Sequence, residues 1–169
     1  INICYEVLGK GFPLAMIIGF SGNMDWWDHK LIEETSKKYR TIIFDNRGTG
    51  RTDAPEIDYS LKMFADDTAN LMDNLKKQKA HILGHSMGGM IAQELVLNYP
   101  EKVEKLVLCY TYCGGKKAVH ASGEILELLS ADRSAFSPEE IIRMSIPILL
   151  TEDFIKKNSD FVELLIQRM

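Results

Sequence analysis

Cysteine is scarce in this sequence, and the arrangement of the few present argues against disulfide and metal chemistry. Three cysteines, Cys4, Cys109 and Cys113, occur among 169 residues, and no two of them form a C-x-x-C pair. An odd number of scattered cysteines is typical of reduced thiols rather than of a disulfide framework. The four histidines are scattered as well, whereas a metal site needs ligands at close spacing. We therefore predict neither a metal nor another cofactor.

The sequence also lacks long apolar runs and a large excess of either charge. The apolar stretch at residues 13–20 is far shorter than the roughly 20 residues that a membrane span needs. Lys and Arg number 20 against 24 Asp and Glu, a formal net charge of -4, which offers no basic surface to nucleic acid or to an anionic membrane. The chain begins with Ile1, and no basic segment followed by an apolar one marks a signal peptide. We expect a cytoplasmic location, with no nucleic-acid and no membrane partner.

The remaining composition is that of a folded globular protein, with 46% apolar and 26% charged residues. The length suits one domain of about 150 residues with a small appendage. In the first two thirds, short apolar runs alternate with stretches of helical periodicity, which predicts an α/β fold with a mostly parallel sheet and flanking helices. The first two strands are predicted to form a hairpin. The predicted strands are residues 1–7, 14–18, 41–44, 80–83 and 103–110, and the predicted helices are residues 25–38, 60–77 and 87–98.

The last third shows only helical patterns. Residues 124–129 and 160–169 are predicted helices, and Ser137-Pro138-Glu139-Glu140 is a capping box with proline at the first helical position. We therefore predict a core at residues 1–115 and a helical cap segment at residues 116–169.

One motif carries chemistry. Residues 84–88 read Gly-His-Ser-Met-Gly and match G-x-S-x-G, placed between a predicted strand and a predicted helix. A sharp turn at this place projects the Ser86 hydroxyl out of the sheet, where it can act as a nucleophile. The alternative is a glycine-rich structural turn with an ordinary serine.

Acyl transfer also needs amide donors where negative charge develops on the carbonyl oxygen. The backbone N–H of Met87, directly after Ser86, is one candidate donor. The second is the backbone N–H of Phe20 in the loop after the strand at residues 14–18, where flanking glycines let the chain turn inward.

Three segments together resemble the α/β-hydrolase superfamily. Residues 19–22 read Gly-Phe-Ser-Gly, residues 44–53 read Phe-Asp-Asn-Arg-Gly-Thr-Gly-Arg-Thr-Asp, and residues 84–89 read Gly-His-Ser-Met-Gly-Gly. They are similar in particular to the small-molecule esterase and lactonase branch, including 3-oxoadipate enol-lactonase-like proteins, over residues 3–115. The resemblance implies an α/β-hydrolase fold. It also implies supporting, non-reacting roles at four positions of the second segment: Asp45, Arg47, Gly48 and Gly50.

The resemblance also assigns the site, and it shows two departures. The elbow nucleophile maps to Ser86 and the oxyanion amides map to Phe20 and Met87. Many members carry His-Gly where this sequence has Ile18-Gly19, so a supporting hydrogen bond is expected to be missing. The family's triad acid and His follow the cap, whereas this sequence stops within the predicted cap, so neither is expected here.

His85, His120 and Asp45 are poor candidates for the missing base and acid of the triad. His85 adjoins Ser86 but is expected to point elsewhere and pack beside the sheet. His120 lies in the loop that enters the cap, where a surface histidine is the commoner case. Asp45 ends a strand near the site, and we expect it to accept hydrogen bonds from loop amides rather than to react.

Three functions remain open from the sequence. The first is a serine hydrolase that cleaves small esters, lactones or thioesters through an acyl-enzyme on Ser86. The second is a non-catalytic small-molecule binding or sensor protein on the same scaffold. The third is a fragment that is weakly active or inactive because it lacks the triad acid and His. In that case residues 103–110 would form an open sheet edge, which predicts an edge-paired or swapped homo-oligomer, or a missing C-terminal fragment supplied by a second chain.

Overall fold

Five strands form one mixed sheet in the first part of the chain. The computed structural model describes residues 1–116, 118–119, 122–131 and 135–168. Contacts divide the chain into two compact units, residues 1–118 and residues 119–169. The predicted domain boundary after residue 115 stays a prediction.

The strand bounds are Tyr5–Leu8 for β1, Pro13–Ile17 for β2, Arg40–Phe44 for β3, Ala80–His85 for β4 and Val103–Cys109 for β5. The sheet has the order β1-β3-β2-β4-β5. Strands β2 to β5 run parallel to one another, and β1 pairs antiparallel with β3. The predicted α/β fold with a mostly parallel sheet is confirmed.

The predicted hairpin between the first two strands is wrong. Strand β1 pairs with β3, and β2 lies on the far side of β3. The connection between β1 and β2 crosses the entry to β3, where a Cβ on Gly9 would lie 2.6 Å from the backbone oxygen of Tyr39. Gly9 and Gly11 both adopt positive φ there, so two glycines allow the chain to cross closely instead of folding back.

The helices of the first unit flank this sheet. They are α1 at His29–Ser36, α2 at Leu61–Asn74 and α3 at Met87–Asn98, with short 3-10 helices at Met24–Trp26 and Pro100–Lys102. The single helix predicted at residues 25–38 is wrong, because Trp27 is extended and the Asp28 side chain accepts from the Leu31 N–H and starts α1. The helix predicted at residues 60–77 begins as expected after its cap Ser60. It ends early, because Lys76 takes a positive φ of 55°.

The two faces of the sheet carry separate apolar clusters. Ile17, Ile42 and Ile82 pack on one face against α2 and α3, including Ile91 and Leu95 of α3. The other face is covered by a smaller cluster built from β2, β3 and the segment around Trp27. Burial on both faces explains why the central strands read as continuous apolar runs.

The second unit is helical throughout its described part. Its helices are α4 at Gly123–Ser130, α5 at Pro138–Leu149, α6 at Glu152–Lys157 and α7 at Ser159–Arg168. The predicted capping box is confirmed, since Ser137 and Glu140 exchange both hydrogen bonds. The sequence patterns missed α6 as a separate helix. Helices α5 and α7 bury Ile142 and Ile146 against Val162 and Ile166.

No helix among the described residues has the length and apolarity that crossing a membrane would require.

Candidate active site

Ser86 lies at a strained turn between β4 and α3. Its backbone has φ 56° and ψ -123°, a conformation that L-residues seldom adopt. The strand before it and the helix after it match the sequence expectation for the nucleophile turn. The sheet and the helix therefore hold Ser86 at the carboxyl end of the strands, where parallel α/β sheets bind ligands.

The glycines of the motif are required by close backbone approach. A Cβ on Gly84 would lie 2.6 Å from the Cα of Gly89, and a Cβ on Gly88 would lie 2.7 Å from the backbone oxygen of Ile18. Side chains at either position would push α3 away from the sheet. The motif is therefore a packing requirement as well as a chemical one.

The hydroxyl of Ser86 forms no hydrogen bond with a described residue, although hydrogen bonds hold its backbone. Ser86 occupies the N-cap of α3, yet its side chain makes no capping hydrogen bond. Its N–H donates to the Cys109 oxygen at 2.9 Å, and its carbonyl accepts from Thr111 Oγ1 at 2.7 Å. The end of β5 thus anchors the turn on both sides. Nothing in the sequence marks Thr111 for this role.

The loop after β2 comes into contact with Ser86. A Cβ on Gly19 would lie 3.0 Å from Ser86 Cβ and 3.4 Å from Ser86 Oγ, so only glycine leaves this approach open. Phe20 follows Gly19 and has a side chain that is 57% exposed. The Asn46 side chain donates to the Ile18 oxygen at 3.1 Å and so ties this loop to the loop after β3. Asn46 therefore supports this loop, although Ile18 stands where many proteins of the resembled superfamily have a histidine.

Asp45 is the buried organiser of the surrounding loops. Its carboxylate accepts from the Met24 N–H at 2.7 Å and from the Arg51 N–H at 2.8 Å, and its side chain is fully buried. The expected role of a loop-stabilising acceptor is confirmed. Asp45 joins the loop that carries Phe20 to the loop that follows β3.

No histidine among the described residues forms a hydrogen bond with the Ser86 hydroxyl. His85 is half-buried beside the sheet, with its ring stacked on Tyr110 at 6.1 Å and edge-on to Trp27 at 6.2 Å. Burial lowers the pKa of His85, since it disfavours the charged imidazolium. This packing role is the one expected from the sequence. His120, the other candidate base, lies outside the described residues.

Within the described ranges, no side chain forms a hydrogen bond with Ser86 Oγ, and no three His, Cys, Asp or Glu side chains come together as metal ligands. The first unit therefore brings together a serine and two neighbouring backbone segments, without a base in contact.

A cleft of about 610 Å³ opens beside this turn, within the size range of small-molecule sites. Phe20 and Met87, the two residues predicted to supply oxyanion amides, both line it, and Met87 directly follows Ser86 in the chain. The other walls come from the loop after β3 and from the start of α2. The further lining residues are Ser21, Asn46, Arg47, Gly48, Thr49, Gly50, Tyr59, Ser60, Leu61 and Phe64.

Arg47 is held at one wall of this cleft. Its Nε and Nη2 donate to the two carboxylate oxygens of Asp67 at 2.5 and 2.6 Å, and its guanidinium lies 5.7 Å from the Tyr59 ring centroid. The hydrogen bonds that Arg47 donates to Asp67 raise the pKa of Arg47 further above its already high value. The sequence motif placed Arg47 near the site, but its partner Asp67 on α2 could not be identified from spacing.

Comparison with known proteins agrees with this geometry. The family model described as the alpha/beta hydrolase fold matches residues 13–135. Over 107 residues the chain is 33% identical to the "Putative carbamate hydrolase RutD" of Azorhizobium caulinodans, covering 63% of this chain and 40% of that protein. Over 112 residues it is 38% identical to the "Putative non-heme bromoperoxidase BpoC" of Mycobacterium tuberculosis, covering 66% of this chain and 42% of that protein.

Solved structures give the same result. A thermophilic esterase from Thermogutta terrifontis superposes with a TM-score of 0.77 at 27% identity, covering 98% of this chain and 60% of that one. The chain spans about two fifths of the length of the curated relatives, with 40% and 42% covered in the two named above.

Proposed function

The chain belongs to the α/β-hydrolase fold family, and on that premise we propose that its protein is a serine hydrolase of small esters, lactones or thioesters. The observation that carries the proposal is the Ser86 turn. A strained, half-buried serine lies at a helix N-terminus, next to a cleft of small-molecule size, and its hydroxyl has no hydrogen-bond partner in the part of the chain that the structure describes. A purely structural turn gives no reason for a free hydroxyl in a strained conformation.

In this mechanism Ser86 Oγ attacks the carbonyl carbon of the substrate and forms a tetrahedral intermediate. The N–H groups of Phe20 and Met87 donate to the developing oxyanion, and the N-terminus of α3 favours the same negative charge. Collapse expels the alcohol or thiol and leaves an acyl group on Ser86. Water then attacks this ester and regenerates the hydroxyl.

Attack also needs a base that takes the proton of Ser86. His85 is unsuited, because its ring is packed between Tyr110 and Trp27. We assign the base and its orienting acid to sequence of the parent protein outside these 169 residues, so the isolated chain should be weakly active or inactive. The names of the relatives, a carbamate hydrolase and an esterase, support acyl chemistry on a small substrate.

The proposal includes a cytoplasmic location. Cys4, Cys109 and Cys113 are all free thiols, which suits a reducing compartment. Fractionation of cells that express the tagged protein tests the location, and recovery in the extracellular fraction would contradict it.

Hydrolysis of short acyl esters by the full-length protein tests the activity. Ser86→Ala should reduce kcat by about 10⁴-fold or more, since the acyl-enzyme cannot form. Ser36→Ala, which removes a serine hydroxyl outside the cleft, is the matched control and should keep the wild-type rate. Binding of an ester without turnover by the full-length protein would favour the sensor interpretation instead.

A further inference from the structure

The cleft beside Ser86 has a cationic side chain in its wall and, among the described residues, no acidic one. Among the described residues that line it, Arg47 alone carries a formal charge, and no carboxylate joins it. The amino ends of two helices also reach the cleft, with Ser60 and Leu61 at the start of α2 and Met87 at the start of α3. Helix N-termini carry partial positive charge, so three features favour an anion in the same cleft.

The Arg47–Asp67 ion pair has its cationic residue, but not its acidic one, among the lining residues of the cleft. Asp67, on α2, accepts hydrogen bonds from Nε and Nη2 of Arg47. The Arg47 side chain is only 10% exposed, so it is fixed rather than free to swing into solvent. Nη1 forms no hydrogen bond or ion pair within the part of the chain that the structure describes. Two N–H donors of a buried guanidinium are thus available on one edge.

We propose that Arg47 makes this cleft selective for substrates that carry a carboxylate in addition to the scissile acyl group. The inference rests on the proposed function and deepens it. The ester or lactone carbonyl lies at Ser86 and the amides of Phe20 and Met87, and the carboxylate accepts from Arg47 Nη1 within the same cleft. Arg47 thereby has two roles: it ties the loop after β3 to α2, and it selects an anionic substrate.

Two glutarate esters separate charge from shape. Monomethyl glutarate carries one carboxylate, whereas dimethyl glutarate has the same carbon chain without a charge. The full-length protein should hydrolyse the half-ester with a kcat/KM about tenfold higher or more, because a charge-assisted hydrogen bond is formed with only one of them. Glutarate itself should inhibit competitively, whereas neutral glutaramide should not, and added salt should weaken the inhibition by glutarate.

Variants locate the effect at the ion pair. Arg47→Gln should remove most of the preference for the half-ester. Asp67→Asn should increase that preference, because it removes the compensating negative charge and leaves Arg47 in place. Lys62→Gln is the matched control, since Lys62 is an exposed cation on the same helix, paired with Asp66 and outside the cleft. It should leave the ratio of the two kcat/KM values unchanged.

Calorimetric titration of the full-length wild type with glutarate gives a readout that needs neither turnover nor a stable variant. Saturable binding that glutaramide does not reproduce supports the inference. Hydrolysis of dimethyl glutarate with no preference for the half-ester and no glutarate binding would overturn it and leave the proposed function standing. Glutarate binding without hydrolysis of any ester would instead overturn the proposed function and leave the anion site standing.

Discussion

At the scale of single residues, the site depends on buried polar groups that hold loops rather than on the reacting groups alone. Asp45 accepts from the backbone N–H groups of Met24 and Arg51, and Asn46 donates to the Ile18 oxygen. These contacts join the loop that carries Phe20 to the loop that carries Arg47. The sequence motif indicated Asp45 and Arg47 as supporting residues, but Met24, a partner of Asp45, and Asp67, the partner of Arg47, lie 20 or more residues away and become visible only in the fold.

Asp45→Ala should lower the free energy of unfolding by about 3 kcal/mol, because a buried amide of Met24 and a partly buried amide of Arg51 lose a charged acceptor. Chemical denaturation measures this change. Asp58→Ala is the control, since Asp58 is exposed and accepts no hydrogen bond from a described residue. Equal stability of the two variants would contradict the role of Asp45.

His85 gives a pH dependence of stability with a definite sign. Burial lowers the pKa of His85, so the folded state disfavours the imidazolium that the unfolded chain forms readily. The free energy of unfolding should therefore fall as the pH drops below about 6.5, the ordinary pKa of histidine, and His85 should contribute no such change above it. His85→Gln should reduce this loss of stability at low pH, whereas His29→Gln, at an exposed histidine on α1, should retain it. Chemical denaturation at a series of pH values measures the loss, and an equal loss in wild type and His85→Gln would contradict the role of His85.

At the scale of elements, periodicity predicted some helices well and others badly. Helix α3 was predicted with its observed bounds, because its start follows the Ser86 turn and its end precedes Pro100. The helix predicted at residues 25–38 breaks at Trp27, where burial in the smaller cluster and the Asp28 cap override helical spacing. The partner of β1 was missed, since pairing across the sheet leaves no signal in local sequence.

We expect helix α3 to be held to the sheet by the side chains on one of its faces. Leu95 is fully buried against the sheet, and Leu97 on the same helix is 76% exposed. Leu95→Ala should therefore cost about 2–5 kcal/mol of unfolding free energy, whereas Leu97→Ala should change it by about 0.5 kcal/mol or less. Thermal and chemical unfolding of both variants measures this difference, and similar losses would show that α3 packs otherwise.

At the scale of the whole molecule, β5 is the last strand of the described sheet, and its outer edge pairs with no described strand. Val107 and Leu108 on this strand are 47% and 45% exposed. An apolar edge of this kind invites pairing with another strand. We propose that it pairs with a second copy of the chain or with further sequence of the parent protein.

The 169-residue chain expressed alone should accordingly form an oligomer, which light scattering detects. Cys109 turns its carbonyl toward the β4 side, where it accepts from Ser86, so Leu108 turns its N–H toward the open edge. Leu108→Pro removes that donor without removing a bond to β4 and should shift the chain toward monomer. A monomeric wild-type chain would contradict edge pairing.

The sequence identified the fold and the Ser86 turn because both rest on local patterns, strand-helix alternation and glycines at a tight turn. It could not show that Ser86 Oγ has no hydrogen-bond partner among the described residues, that Thr111 anchors the turn, or that Arg47 is fixed by Asp67. Each of these depends on atoms brought together by folding from distant parts of the chain.

Intact mass spectrometry with a fluorophosphonate probe, which reacts with activated serines, tests whether Ser86 is the nucleophile. The full-length protein should gain one probe mass, and peptide mapping should place it on Ser86. Ser86→Ala should remain unlabelled and folded. A folded full-length protein that stays unlabelled, or that is labelled equally in Ser86→Ala, would contradict this role of Ser86.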